Sequence, residues 1–299
     1  MTNIDIHADD YGYTLNTSKD ILDCMEKGLL NSISIICNTS YFDESMELLY
    51  KEIPNLPFLP LMSVHINLVD GFNLTNSYYL SKEGINTLSW TNLFFKSFGK
   101  EKKEIKDEIE NEIKEQINKT QIVINNCIEI AKKNNIICNQ KGLRIDSHVH
   151  THVIPIVLDS LYDVIKKEKY NIEYVRIPKE PITPFIKKLK YLIGYKPINI
   201  IKNCILNIYS RKIDNDTYMW GLVMSGKMDY KRVNGIFPFM IEKAKIDKKN
   251  LEILFHPGIA LKNEYRKELN INDFNEFNIS SNRKLEKDCI LKIKSICME

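Results

Sequence analysis

The six histidines of this 299-residue chain fall in four short segments. They are His7 in IDIHADDYG, His65 in SVHINLVDG, His148, His150 and His152 in RIDSHVHTH, and His256 in EILFHPG. Each segment closes a short apolar, β-branched run and lies beside a carboxylate or a Gly or Pro turn. Histidine serving only as core or surface filler would be scattered. Imidazoles gathered at the ends of widely separated strands instead describe a metal site assembled at the mouth of an α/β fold.

The rest of the chain repeats that grammar. Strands are expected at Asn3–His7, Ser32–Cys37, Met62–Asn67, Leu143–Ser147, Tyr174–Ile177, Tyr218–Val223 and Glu252–Phe255. Helical patterns fall between them, at about Ser18–Lys27, Ser45–Lys51, Lys103–Asn134, Pro155–Lys169, Thr183–Ile193, Tyr230–Lys245 and Arg283–Met298. This alternation predicts a parallel sheet with crossover helices. Site-type residues at the ends of at least four strands favour a closed or nearly closed (β/α) barrel of about seven strands. An open doubly wound sheet would gather its site at one switch point. A single domain over 1–299 is expected, with a lid-like insertion at about 72–104 and a helical insertion at about 185–216. The charge-laced stretch Lys100–Lys119 reads as a solvated helix face.

Hydrophobic residues at 43% and charged residues at 27% are enough for a sizeable core. A net charge of +3, with signs interspersed, gives no case for nucleic acid or an anionic membrane as partner. Seven cysteines without CxxC spacing read as buried free thiols in a reducing cytosol. No secretory leader and no apolar stretch of about 18 residues are visible, so a cytoplasmic protein without a membrane span is expected. A homodimer is compatible with the chain.

Chemistry concentrates in a few residues. Asp9 and Asp10 follow the first apolar strand at its end, and strand alternation predicts that they point in different directions, one to a metal and one to water or substrate. The competing reading is a turn in which one aspartate caps the next helix. His148, His150 and His152 stand at i, i+2 and i+4, so an extended segment would put all three on one face. The first would ligate a metal and the others would line the rim. Asp146, two residues before His148, suits a carboxylate that orients a neighbouring ligand. His65 ends a strand beside Asn67, and His256 turns out of the last strand at a Pro-Gly. One aspartate and two histidines leave open positions on a cation, which acidifies water and polarises a carbonyl. A free carboxylate takes the water proton and an imidazole protonates the leaving amine, as amide or ester hydrolysis requires.

HADDYG, HINL, the D-S-H-x-H-x-H run and HPG resemble, in order and spacing, the YdjC-like carbohydrate deacetylases. VRIPKEP (Val175–Pro181) and the Ser281/Arg283 segment are similar to further parts of that family, and the 185–216 region matches least. The resemblance implies a barrel of the glycoside hydrolase/deacetylase type and an N-acetylated sugar as substrate. It also implies a divalent cation, commonly magnesium, held by Asp10, His65 and His148, with Asp9 as base and His256 as acid. The family usually has Asn where this chain has His7, which becomes a supporting or additional site residue. His150 and His152 fit the motif as substrate or supporting residues. Arg176 is a candidate to contact a carboxylate or to pair with a site aspartate. Two imidazole ligands favour zinc or another transition ion over magnesium. Trp90, Phe94, Tyr218 and Trp220 are candidates to stack on sugar, with core packing expected for at least half. The alternatives are a metal-dependent phosphoesterase, which would want several basic residues near the mouth where only Arg144 and Arg176 lie close, and a non-catalytic sugar-binding protein, which would lack a base, acid or ligand.

Overall fold

The computed structural model describes residues 2–189, 200, 203–204 and 216–293. Its main elements are β1 (Ile4–Tyr11), α1 (Leu15–Lys27), β2 (Ser32–Ile35), α2 (Phe42–Glu52) and β3 (Leu61–Ile66). A short hairpin, β4 (Ser81–Lys82) and β5 (Ile85–Asn86), leads to α3 (Trp90–Lys96) and α4 (Lys102–Lys133). Then come β6 (Leu143–Ser147), α5 (Pro155–Glu168), β7 (Ile172–Val175), α6 (Thr183–Lys187), β8 (Thr217–Trp220), α7 (Tyr230–Ile246), β9 (Asn250–Phe255) and α8 (Asn282–Lys292).

Seven strands pair in parallel, in the order β7-β6-β3-β2-β1-β9-β8. Outward from β1, one side runs through β2, β3, β6 and β7, and the other through β9 and β8. The spatial order around the curled sheet is therefore the chain order, with a seam between β7 and β8. No ladder closes that seam among the described residues. Met219 N donates to Lys179 O at 3.1 Å across it. Beside this bond the buried Glu180 carboxylate accepts Gly221 N at 2.9 Å and Val223 N at 2.7 Å. The expected incomplete barrel is the fold observed.

Side-chain alternation sorts the strands into two faces. Ile6 and Ala8 of β1, Ile33 and Ile35 of β2, and Leu251, Ile253 and Phe255 of β9 join one apolar cluster with α1, α2, α7 and α8. Val64 and Ile66 of β3 and Ile145 of β6 join another with Ile109, Ile113 and Ile117 of α4 and Val157 of α5. The alternate positions are Asp5, His7 and Asp9, Ser32 and Ser34, Ser63 and His65, Arg144 and Asp146, and Glu252 and Leu254. All but Asp5 are buried and all but Leu254 are polar, so the concave face is largely polar where barrels of this kind are more often filled with branched apolar residues.

Several expectations shift. The first strand runs on through Tyr11 and so carries both aspartates. The 72–104 insertion is tied to α4: Glu112 accepts the Leu74 and Thr75 N–H groups, each at 3.1 Å, and Glu108 those of Tyr78 and Tyr79 at 3.0 and 2.8 Å. Most of the expected 185–216 insertion, and the end of the expected last helix, lie outside the described residues. Trp220 is fully buried and packs with Tyr218 in the core, which removes both as sugar-stacking candidates. Trp90 and Phe94 stack on each other at 5.7 Å, partly buried against the second cluster. Cys24, Cys37 and Cys127 are buried free thiols. No helix among the described residues is long and apolar enough to cross a membrane.

Candidate active site

Regular alternation along β1 would send Asp10 outward with Ile6 and Ala8. Instead the register with β2 breaks between Ala8 and Tyr11, and Asp10 takes φ 72°. Asp is among the few residues that tolerate this conformation, and the bulge re-aims its carboxylate to the side of Asp9. The two aspartates thus converge on His65, whose Nε2 lies 4.0 Å from Asp9 Oδ2 and 3.7 Å from Asp10 Oδ1. The expectation that they diverge is corrected by this bulge. Gly12 follows at φ 94°, where a Cβ would stand 2.6 Å from the Ile36 carbonyl oxygen. Neither aspartate caps α1; Thr14 does, accepting from Thr17 N.

Asp9 is gripped by Arg176, whose Nη1 donates to Oδ2 at 2.9 Å and whose Nη2 forms an ion pair with Oδ1, also at 2.9 Å. The same guanidinium meets Asp146 Oδ2 at 3.2 Å and Glu252 Oε1 at 2.6 Å. Of the two readings of Arg176, pairing with a site aspartate is the one observed. Burial alone would raise the Asp9 pKa; Arg176, then His65 and His7, outweigh it and hold the group well below the ordinary carboxylate range. Asp146 is depressed in the same way, burial being overcome by Arg176 and His65.

His65 Nδ1 meets Asp146 Oδ1 at 2.5 Å. An ionised carboxylate only accepts, so Nδ1 carries a proton, which leaves Nε2 as the ring nitrogen that faces Asp10. Asp10 Oδ1 lies 3.2 Å from His148 Nδ1, and Arg283 of α8 donates to Asp10 Oδ2 at 2.8 Å. His148 and Arg283 overcome burial and keep Asp10 ionised far below its usual range. Burial pulls the His148 pKa down, but Asp10, then Asp70, raise it to about 9. Tyr13 stacks on the His148 ring at 5.8 Å and donates to Asp70 at 2.9 Å.

The triple-histidine run is not extended. His148–Val153 is a tight turn in which Val149 and His150 adopt φ 45° and 56°, so the three rings do not share one face. His152 is fully buried, its Nδ1 on Ser147 Oγ and its Nε2 on the Arg176 carbonyl oxygen, both at 2.5 Å. A carbonyl only accepts, so Nε2 holds the proton. Burial lowers this pKa to about 4, and the neutral ring anchors the turn. His150 is half-buried, with a pKa driven well down by burial and then by Arg176.

His256 follows β9 directly. Its Nε2 lies 4.0 Å from Asp9 Oδ2, and its backbone N–H donates to buried Glu286 at 2.6 Å. Phe277 packs edge-on against the ring at 5.2 Å. Sequence reasoning missed Glu252, Glu286, Ser34 and the role of Arg283, each of which acquires its partner only through the fold.

Asp10, His65 and His148 each offer a ligand atom, all within 4.8 Å of one another. One ionised carboxylate with two imidazoles suits a divalent transition ion, and Asp146 on His65 Nδ1 leaves Nε2 to face such a cation. Asp9 and His256 flank this cradle, a carboxylate and an imidazole at the mouth of the sheet.

The chain spans about three fifths of one curated relative and half of another. It is 29% identical over 186 residues to a carbohydrate deacetylase of Thermoanaerobacter pseudethanolicus, covering 61% of this chain and 64% of that protein. It is 25% identical over 178 residues to a carbohydrate deacetylase of Xenopus laevis, covering 58% of this chain and 50% of that one. A solved structure from Enterococcus faecalis V583, assigned to cellobiose-phosphate cleavage, superposes with a TM-score of 0.62 at 17% identity, over 99% of this chain and 94% of that one. At that identity the likeness concerns the fold alone. The family model for YdjC-like proteins matches residues 3–123 and 143–289, which takes in the Asp9–Asp10 bulge, His65, the His148 turn, Arg176, His256 and Arg283. The chain belongs to the YdjC-like protein family.

Proposed function

We propose that the chain is a metal-dependent hydrolase that removes acetyl from an N-acetylated sugar or oligosaccharide. The observation that carries this reading is the Asp10–His65–His148 cradle with ionised Asp9 and His256 beside it. A divalent cation in the cradle supplies Lewis-acid polarisation of the amide carbonyl and a lowered water pKa. Asp9, held ionised by Arg176, takes the proton as water adds to the carbonyl carbon. His256 delivers a proton to the nitrogen as the C–N bond breaks, giving an amino sugar and acetate. Asp146 fixes the His65 tautomer and Arg283 fixes Asp10, so both act through the residues they hold.

Magnesium agrees with the family resemblance, while the two imidazoles favour zinc or another transition ion. The phosphoesterase reading loses support because the nearby guanidiniums are committed. Arg176 serves Asp9, Asp146 and Glu252, and Arg144 serves Asp5 and Glu173. The buried free thiols suit a cytoplasmic setting.

The test is acetate release from a panel of N-acetylated sugars by metal-stripped protein, with Mg, Zn, Co or Ni restored separately. Metal-dependent acetate that vanishes in Asp9→Asn is the expected result. Stoichiometric metal binding without acetate from any sugar would overturn the reading and favour a non-catalytic sugar-binding protein.

A further inference from the structure

His7 lies beneath the cradle with no exposed surface. Its Nδ1 is 2.7 Å from Ser32 Oγ, and its Nε2 is 2.6 Å from Ser34 Oγ and 3.1 Å from Asp9 Oδ1. Each serine has one hydroxyl proton, and each gives it away: Ser32 donates to Asp5, and Ser34 to Asp146 Oδ2 at 2.5 Å. Neither carboxylate is a donor in return. Asp5 pairs with Arg144 at 2.7 Å, and Asp146 with Arg176 at 3.2 Å. With their protons committed, both serine oxygens must accept from His7, while Asp9 Oδ1 stands as an ion-pair partner of Nε2. Both ring nitrogens therefore carry hydrogen.

We infer that His7 is a resident imidazolium, a positioning residue that holds Asp9 and, through Ser34, Asp146 as oriented carboxylates whether or not a cation fills the cradle. Its effect on catalysis rests on Asp9 being the base; its protonation does not.

The surroundings agree. The charged groups facing the ring are Asp5 and Asp9 on β1, Asp146 on β6, Arg176 after β7 and Glu252 on β9, while β2 presents only the two serines. Asp5, Asp9, Asp146 and Glu252 outnumber Arg144 and Arg176, and a third buried cation narrows that imbalance. Burial and Arg176 lower the His7 pKa, but Asp9 and Glu252 outweigh them and raise it.

The inference is tested by nitrogen NMR on 15N-histidine-labelled, metal-free protein at about pH 8, above the ordinary histidine pKa of about 6.5. His7 is assigned by the signal lost in His7→Asn. If that variant does not fold, Ser34→Ala marks the same ring by shifting its resonances. Both His7 nitrogens in the protonated range is the expected result, and a lone pair on either would overturn the inference. In the active holoenzyme, His7→Asn should move the acid limb of kcat/KM up by about 1–3 pH units, because Asp9 loses a cation in contact. A lower rate with an unmoved acid limb would reduce His7 to packing. Two protonated nitrogens in a protein that releases no acetate would leave the inference standing and defeat the deacetylase reading alone.

Discussion

Asp9, Asp10 and Asp146 are ionised before any ligand arrives, and the cations that ionise them are part of the fold. Arg176 has the largest share, since it faces Asp9, Asp146 and Glu252 with no solvent contact. A buried ion costs several kcal/mol to desolvate, so deleting the guanidinium takes from three buried acids the cation they share. Arg176→Met should cost about 3–5 kcal/mol in urea unfolding. Arg176→Lys should cost less, keeping the charge and losing the fork. The depressed aspartates also fix the sign of the acid response. A folded pKa below the ordinary value of about 3.9 contributes stability above that value, lost as pH falls towards the folded one. Asp146→Asn should therefore flatten the decline of the urea midpoint below about pH 5, and an unchanged slope would place the acid-sensitive group elsewhere. Asp9, Asp10, His65, His148 and His256 were legible in the sequence because each sits in a local strand-end motif. Arg283, Glu252 and Glu286 were not, because their partners lie far off along the chain: Arg283 and Asp10 are 273 positions apart. The turn at His148 was hidden for another reason, since a β-branched valine at φ 45° contradicts every local preference.

At the scale of elements, alternation on the strands was written in the sequence as IDIHAD, SISI and LRID. Those runs were read only as apolar strand cores. Their polar positions are the lining of the concave face, and period two was the signal that would have found it. The 72–104 insertion behaves differently from a free lid, because Glu108 and Glu112 hold its backbone on α4. Glu112→Ala should speed hydrogen exchange at the Leu74 and Thr75 amides and cost about 1–3 kcal/mol, with β1 and β9 still protected. Unchanged exchange at those two amides would show that the insertion is held by its apolar contacts instead. Cross-element carboxylate caps of this kind leave no periodic trace, which is why the sequence suggested a lid, whereas the structure shows the backbone of that segment tethered to α4.

For the molecule as a whole, chain order around the sheet was legible from the repeated strand–helix alternation, whereas the seam was not, since an absent ladder has no sequence signature. Among the described residues, the Met219–Lys179 backbone bond and the Glu180 carboxylate span it. Glu180→Ala strands the Gly221 and Val223 N–H groups and should lower stability by about 1–3 kcal/mol in urea unfolding. A smaller loss would mean that these amides find water. The pairing of Asp10 with Arg283 reaches further still. During synthesis β1 emerges first, and its bulged aspartate waits through most of translation for the arginine that neutralises it. A ribosome stalled before α8 would hold a sheet with every expected ligand present, and Asp10 would have His148 beside it but no guanidinium.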